Sequence, residues 1–313
     1  MQDTFGRKIT YLRLSVTDLC NLRCKYCMPY AAGHKQMLSE EETVLAVSAA
    51  AKLGVKKLRI TGGEPLLRKN IVGICAQLAK VPGLEEVSMT TNGILLPQFA
   101  DDLVSAGVRR INISLDSLDA EKYRHMTGVG ELADAMRGIE AALRAGFSKV
   151  KINVVLIGGF NDDEIRDFAE LTKKYPIDIR FIELMPMKGG ERFDRSAYLS
   201  CDAVLSALSD ELIPDGGDGV AKQYRLAEGI GKIGLIRPIS DHFCAECNRL
   251  RLTADGRIKP CLHNDCEIDI RGMNESQMRE AFLKAASMKP EWHGPLSPCF
   301  ISASGRGMNE IGG

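Results

Sequence analysis

Tyr11-Leu12-Arg13-Leu14-Ser15-Val16 is a strand-like run, and three residues after it comes Cys20-Asn21-Leu22-Arg23-Cys24-Lys25-Tyr26-Cys27. A short strand ending in a loop of reactive side chains is one unit, and the unit recurs. Further strands are predicted at 57–61, 86–91, 110–115, 149–157 and 178–184. Amphipathic helical patterns lie between them, as at 39–53, which opens with the capping box Ser39-Glu40-Glu41-Glu42, and at 162–175. Leu53-Gly54, Ala106-Gly107 and Ala145-Gly146 close three of the helices before the next strand begins. Six βα units predict an α/β fold with a parallel sheet, either doubly wound or curved into a partial barrel.

The reactive residues all fall after strands. Besides the cysteines, Thr61-Gly62-Gly63-Glu64-Pro65 ends the second strand and Thr90-Thr91-Asn92-Gly93 the third. Ser114 and Asp116 end the fourth; Glu183 and Met185 end the sixth. In a parallel barrel those ends share one rim, where such folds build active sites. After about residue 190 the rhythm stops. A helix is expected at 201–212, a Gly/Asp-rich loop at 214–219, and a hairpin of 248–253 with 257–261 across Ala254-Asp255-Gly256. The expected organisation is a barrel over 1–190 and an extension over 191–313 packed on it.

Among 313 residues, Lys+Arg and Asp+Glu each number 41, so no whole-molecule field draws the chain to nucleic acid or an anionic membrane. Any anion must be gripped locally. The first residues lack the apolar segment of a signal peptide and no later run is long enough to span a bilayer, so a cytoplasmic protein is expected. Seven of the ten cysteines fall in two groups, 20, 24, 27 and 244, 247, 261, 266, which in a reducing compartment suits metal or cluster ligation. Cys75, Cys201 and Cys299 stand alone and read as buried small side chains.

The first group is C-x3-C-x2-C. Three thiolates leave one corner of an iron–sulfur cubane open to an external molecule. Zinc is the alternative, with His34 as a fourth ligand, and spacing alone leaves the two nearly balanced. The second group, C-x2-C-x13-C-x4-C, favours a zinc ribbon on spacing alone.

C-x3-C-x2-C with Tyr26 before the last cysteine, joined to Thr61-Gly62-Gly63-Glu64-Pro65, resembles the radical S-adenosylmethionine (SAM) superfamily. The resemblance implies a [4Fe-4S] cluster on Cys20, Cys24 and Cys27, a partial (β/α)6 TIM-type barrel, and a 5'-deoxyadenosyl radical that abstracts a substrate hydrogen. Phe243-Cys244-Ala245-Glu246-Cys247-Asn248-Arg249-Leu250-Arg251-Leu252-Thr253-Ala254-Asp255-Gly256, followed by Pro260-Cys261-Leu262, is similar to the cluster loop of the GTP 3',8-cyclase family of molybdenum cofactor biosynthesis. The similarity extends to residues 12–18, Cys27-Met28-Pro29, residues 110–116 and Ile311-Gly312-Gly313. Leu19 and Thr10-Tyr11 depart from it, at positions that are not ligands.

That family resemblance implies a second [4Fe-4S] cluster on Cys244, Cys247 and Cys261, in an α+β extension, with its open iron facing the purine of GTP. Cys266 is then a surplus thiol. GTP contacts are implied for Arg13, Arg59, Thr90, Lys151, Arg180, Arg249 and Arg251. SAM contacts are implied for Tyr26, Gly63, Ser114 and Met185, with Asn153 beside them. Arg306, Gly312 and Gly313 are implied as a catalytic tail. The expected reaction removes the ribose C3' hydrogen and joins C3' to C8. It needs an electron donor and hands its product to a cyclic pyranopterin monophosphate synthase; a homodimer stays open. The rivals are a radical maturase of peptides, disfavoured by Asn248-Arg249-Leu250-Arg251 and the double-glycine end, and a binding protein with structural zinc or clusters.

Overall fold

The computed structural model describes residues 1–27, 36–188, 193–217, 220–297 and 300–312. Six strands form where alternating or continuous apolar runs predict them: β1 (Tyr11–Ser15), β2 (Lys57–Thr61), β3 (Glu86–Thr91), β4 (Arg110–Ser114), β5 (Lys149–Leu156) and β6 (Ile177–Glu183). They pair in sequence order, all parallel. Helices cover one face of them: α1 (Glu40–Lys52), α2 (Ile71–Leu78), α3 (Leu96–Ser105), α4 (Ala120–Thr127), α5 (Leu132–Ala145) and α6 (Ile165–Lys174). The Ser39 hydroxyl accepts from the Glu42 amide while the Glu42 carboxylate accepts from the Ser39 amide, so α1 starts on the expected capping box. Gly146, at φ 84°, ends α5 in the left-handed conformation that L side chains resist.

Residues beyond 190 extend this sheet at both ends. The helix α7 (Asp202–Ala207) is followed by β7 (Ile213–Gly217), β8 (Ala221–Arg225), β9 (Ile233–Ile236), β10 (Arg249–Leu252), β11 (Arg257–Lys259) and β12 (Ile268–Asp269). The strand order is β12-β11-β10-β1-β2-β3-β4-β5-β6-β9-β8-β7. Both β10 beside β1 and β9 beside β6 are parallel to their neighbours, so the curved parallel layer has eight strands, two more than the βα rhythm gives. Antiparallel partners finish each side. Two helices follow, α8 (Glu275–Ser287), packed on α1, and the short α9 (Met308–Ile311). The hydrophobic core is continuous between barrel and extension.

Two expectations are corrected. The loop placed at 214–219 is, over its described part, the edge strand β7. Its glycines and polar side chains suit an exposed edge, and a register shift between Pro214 and Gly217 absorbs Gly216 at φ 77°. The helix placed at 201–212 is only six residues long. Cys75 and Cys201 are buried as expected, whereas Cys299, His34 and the Met28-Pro29 segment lie outside the described residues. Among the described residues no helix is long and apolar enough to cross a membrane.

Candidate active site

Side chains alternate across a strand, so one face of each packs against the helices and the other faces into the curve of the sheet. The apolar set Leu12, Leu14, Leu58, Ile60, Ile111 and Ile113 is buried in the core. The inward set is polar: Arg13 on β1, Arg59 and Thr61 on β2, Thr90 on β3, Ser114 on β4, Lys151 and Asn153 on β5, Arg180 on β6, and Arg249 and Arg251 on β10. These residues line a cavity of about 930 Å³, which also takes in Cys20, Cys24, Cys27, Tyr26, Gly63 and Met185 at one rim and, at the opposite end where β10 begins, Cys244, Cys247 and Cys261.

The first cysteine loop is held from three sides. The Gly63 amide donates to Thr17 O at 2.8 Å and the Glu64 amide to Leu19 O at 2.6 Å. A Cβ on Gly63 would stand 2.2 Å from Leu19 O, so the glycine first serves the loop that precedes Cys20. The Glu64 carboxylate accepts from Thr91 Oγ1, the Asn92 amide and the Leu66 amide. The Asn92 side chain in turn donates to Asn21 Oδ1 inside the loop at 2.7 Å. Tyr26 donates to Asp116 Oδ2 at 2.7 Å, and Asp116 also receives the Val155 amide. Burial pushes the Glu64 carboxyl up to about 7 and that of Asp116 up to about 6.

Arg23 is the cation that acts on Cys20, and its pull is smaller than that of burial. Burial, helped by the neighbouring cysteines and Asp116, raises Cys24 well above its ordinary range and pushes Cys27 up to about 12. A cationic iron group is what such a donor set needs in order to ionise.

The middle of the chamber is cationic. Burial drives the Arg13 guanidinium well below its usual range, with repulsion from Arg251 and Arg59 adding to it; burial and Arg249 bring Arg251 down to about 10. Guanidinium groups stay protonated in proteins, so crowded, buried arginines of this kind favour an anionic ligand. Arg59 lies with Cζ 5.7 Å from the Tyr11 ring centroid, and its buried Nε makes no hydrogen bond. Thr90 Oγ1 and Asn153 Oδ1 are likewise buried without a partner, an arrangement that costs stability unless a ligand satisfies it.

The second triad is braced by residues from outside any motif. Arg7 donates to Cys244 O, Glu291 O and Pro290 O at 2.6–2.8 Å. Lys289 Nζ donates to Arg249 O and Pro260 O, tying the chain that carries Cys247 to the chain that carries Cys261. The buried His263 ring contacts Ser302 Oγ at 3.1 Å, and burial with His293 and Arg251 pulls its pKa down to about 3, so it is neutral. Cys266 is exposed and is not among the residues that line the chamber.

The tail folds back onto the barrel. Arg251 donates to Gly312 O at 2.8 Å and Arg13 to the same oxygen at 3.2 Å. Gly312 is buried at φ 68°, and a Cβ there would stand 2.1 Å from Thr61 Oγ1. Arg306 does not line the chamber. It forms paired bonds with Asp255 and Glu267, a place that positions the tail without touching reacting atoms. Gly313 lies outside the described residues.

The structure thus brings together both cysteine triads and every inward residue expected on β1 to β6 and β10. Sequence reasoning missed Arg7 and Lys289, which no motif marks. It also missed Glu64 and Asn92 as supports of the loop, although both stand in strings that it had singled out.

The radical SAM superfamily profile matches residues 14–172 and the Molybdenum Cofactor Synthesis C profile residues 177–295. The chain is similar to the GTP 3',8-cyclase of Alkaliphilus oremlandii (strain OhILAs), with 46% identity and 100% of both chains covered. It is equally similar to that of Moorella thermoacetica (strain ATCC 39073 / JCM 9320), again at 46% identity with both chains fully covered. Among solved structures, Streptococcus suis SuiB bound to precursor peptide SuiA superposes with a TM-score of 0.68 at 14% identity, covering 92% of this chain and 67% of that one. At such identity the likeness is one of fold alone.

Proposed function

The chain belongs to the GTP 3',8-cyclase family of radical SAM enzymes, and from that premise we propose how its residues divide the reaction between them. The family converts GTP to 3',8-cyclo-7,8-dihydroguanosine 5'-triphosphate in molybdenum cofactor biosynthesis. Membership implies SAM and one [4Fe-4S] cluster, whose ligands would be Cys20, Cys24 and Cys27. Bound there, the pair supplies the one-electron chemistry that removes the ribose C3' hydrogen. Tyr26, Gly63, Ser114, Asn153 and Met185 shape the SAM pocket, in which Tyr26 is fixed by Asp116.

Arg13, Arg59, Lys151, Arg180, Arg249 and Arg251 grip the triphosphate and fix its direction, and Thr90 supplies a hydroxyl that has no protein partner. Cys244, Cys247 and Cys261 hold a second [4Fe-4S] cluster at the guanine end. Gly312, bonded to Arg13 and Arg251, draws the tail over the chamber and helps keep water out, and Arg306 holds the tail in place. Residues 1–190 then carry radical formation and 191–313 carry substrate recognition. A cytoplasmic setting, a one-electron donor and a downstream cyclic pyranopterin monophosphate synthase belong to the same reading.

The observation that carries this assignment is that two three-cysteine groups line one chamber with a belt of arginines between them. The test is anaerobic reconstitution with iron, sulfide and zinc counted in parallel, then incubation with SAM, reductant and GTP. Cys261→Ala should still form 5'-deoxyadenosine and lose the cyclised nucleotide. Zinc without sulfide at the second triad, or unchanged product from Cys261→Ala, refutes the two-cluster division.

A further inference from the structure

The chamber does not stop at the rim that carries the first cysteines. It runs the length of the strands and is lined at their opposite end by Lys57, Glu86, Arg110 and Lys149, the first residues of β2 to β5, with Asp178 on β6 and Lys232 just before β9. We propose that this N-terminal end of the barrel is the mouth by which the nucleoside triphosphate reaches the site, and that Arg110 and Lys149 steer it in. The inference rests on the assignment of GTP as the substrate.

Exposure separates this end from the middle. Lys57 is exposed, and the side chains of Arg110, Lys149 and Lys232 keep 41%, 31% and 41% of their surface in water, while that of Lys151, one step further in, keeps 6%. Charge changes along the same line. At the mouth the cations are matched by carboxylates: Arg110 with Glu86 at 3.1 Å, Lys149 with Asp178 at 2.7 Å, and Lys232 with Asp215 at 2.7 Å. Inward, Arg59, Arg13 and Arg251 crowd together and repel one another. Asp178 spans the boundary, since its other oxygen lies 3.6 Å from Lys151 Nζ.

A polyanion therefore meets a nearly neutral, hydrated ring first and a rising positive potential behind it. Arg110 and Lys149 keep part of their surface in water while paired with Glu86 and Asp178, so phosphate oxygens can join those carboxylates as partners of the two cations. Since the whole chain is formally neutral, no distant field does this steering; it must come from the charges at the mouth and just inside it. The mouth also lies at the far end of the strands from Tyr26, Gly63 and Met185, so a nucleotide using it does not cross the SAM pocket.

The test measures the two rate constants of GTP binding separately, by rapid mixing of reconstituted enzyme with radiolabelled GTP and filtration. The paired variant Arg110→Glu with Lys149→Glu should bind GTP about tenfold more slowly at low salt, and the deficit should shrink as salt screens the mouth. Release should change by less than about twofold and SAM binding should stay unchanged. Glu86→Gln should move association the other way, making it faster, which a folding defect cannot do. Association unchanged in the paired variant, or slowed equally at every salt concentration, overturns the inference and leaves the substrate assignment standing. Failure of the wild-type enzyme to capture GTP at all overturns both.

Discussion

At the residue scale the glycines carry a sharper constraint than their sequence context suggests. A Gly-Gly pair after a strand is ordinarily a turn that lets a ligand approach, and Gly63 does line the chamber. Its missing Cβ, however, is first required by protein: Leu19 O occupies that space, and Asp18 O stands 2.8 Å away on the same side. Gly63→Ala therefore has to push the backbone that leads into Cys20. The expected outcome is loss of iron from the first cysteine site and of SAM cleavage, while iron at the second site survives in the same preparation. Metal analysis of Gly63→Ala beside Cys261→Ala checks this, and full iron retention at the first site would refute it. Gly312 repeats the theme against Thr61, where a Cβ meets a hydroxyl that is fixed by its bond to Leu14 O.

At the scale of elements, Glu64 links the ends of β2 and β3 to the cysteine loop through one buried carboxyl. Its folded pKa is raised to about 7 from an ordinary 4.5 because burial outweighs three hydrogen bonds. A raised acid binds its proton more tightly when folded, so its contribution favours the native state at low pH. That contribution fades as pH rises from about 4.5 through about 7 and is flat above. Stability of the metal-free chain should accordingly fall by up to about 3 kcal/mol across that window through this group. Denaturant titrations of wild type and Glu64→Gln at matched pH check it: the variant should lack this slope, and parallel curves would refute the assignment.

The elements also show what sequence patterns can and cannot reveal. The barrel strands were legible because apolar side chains recur on their outer faces, and each strand begins and ends within about two residues of its expected bounds. The pairing of β10 with β1 and of β9 with β6 was not, because parallel neighbours distant in sequence leave no local signal. The inward rows were partly hidden for a different reason. No motif marks Lys57, Glu86, Arg110 and Lys149 at the strand starts, and only closure of the sheet brings them to one end of the chamber. Cysteine spacing marked both triads; the braces behind them come from the chain terminus and from the segment after α8.

At the scale of the whole molecule, the first residues of the chain fasten the last third of it. Asp3 accepts from the Arg7 amide and pairs with the Arg7 guanidinium, and the two side chains keep 0% and 7% of their surface exposed. The remaining Arg7 donors reach Cys244, Pro290 and Glu291, so one guanidinium joins the N-terminal hook, the second cysteine loop and the segment after α8. Breaking a buried ion pair on one side leaves the other charge uncompensated, at a cost of about 3–5 kcal/mol. Arg7→Met should lose stability on that scale and also lose second-site iron before first-site iron. Asp3→Leu combined with Arg7→Met should recover part of the stability, since no buried charge is then left alone, but not the iron, since the three carbonyls keep no donor. Thermal unfolding with iron counted at each step separates the two effects. An Arg7→Met protein within about 0.5 kcal/mol of wild type would show that the hook is incidental to the closure of the fold.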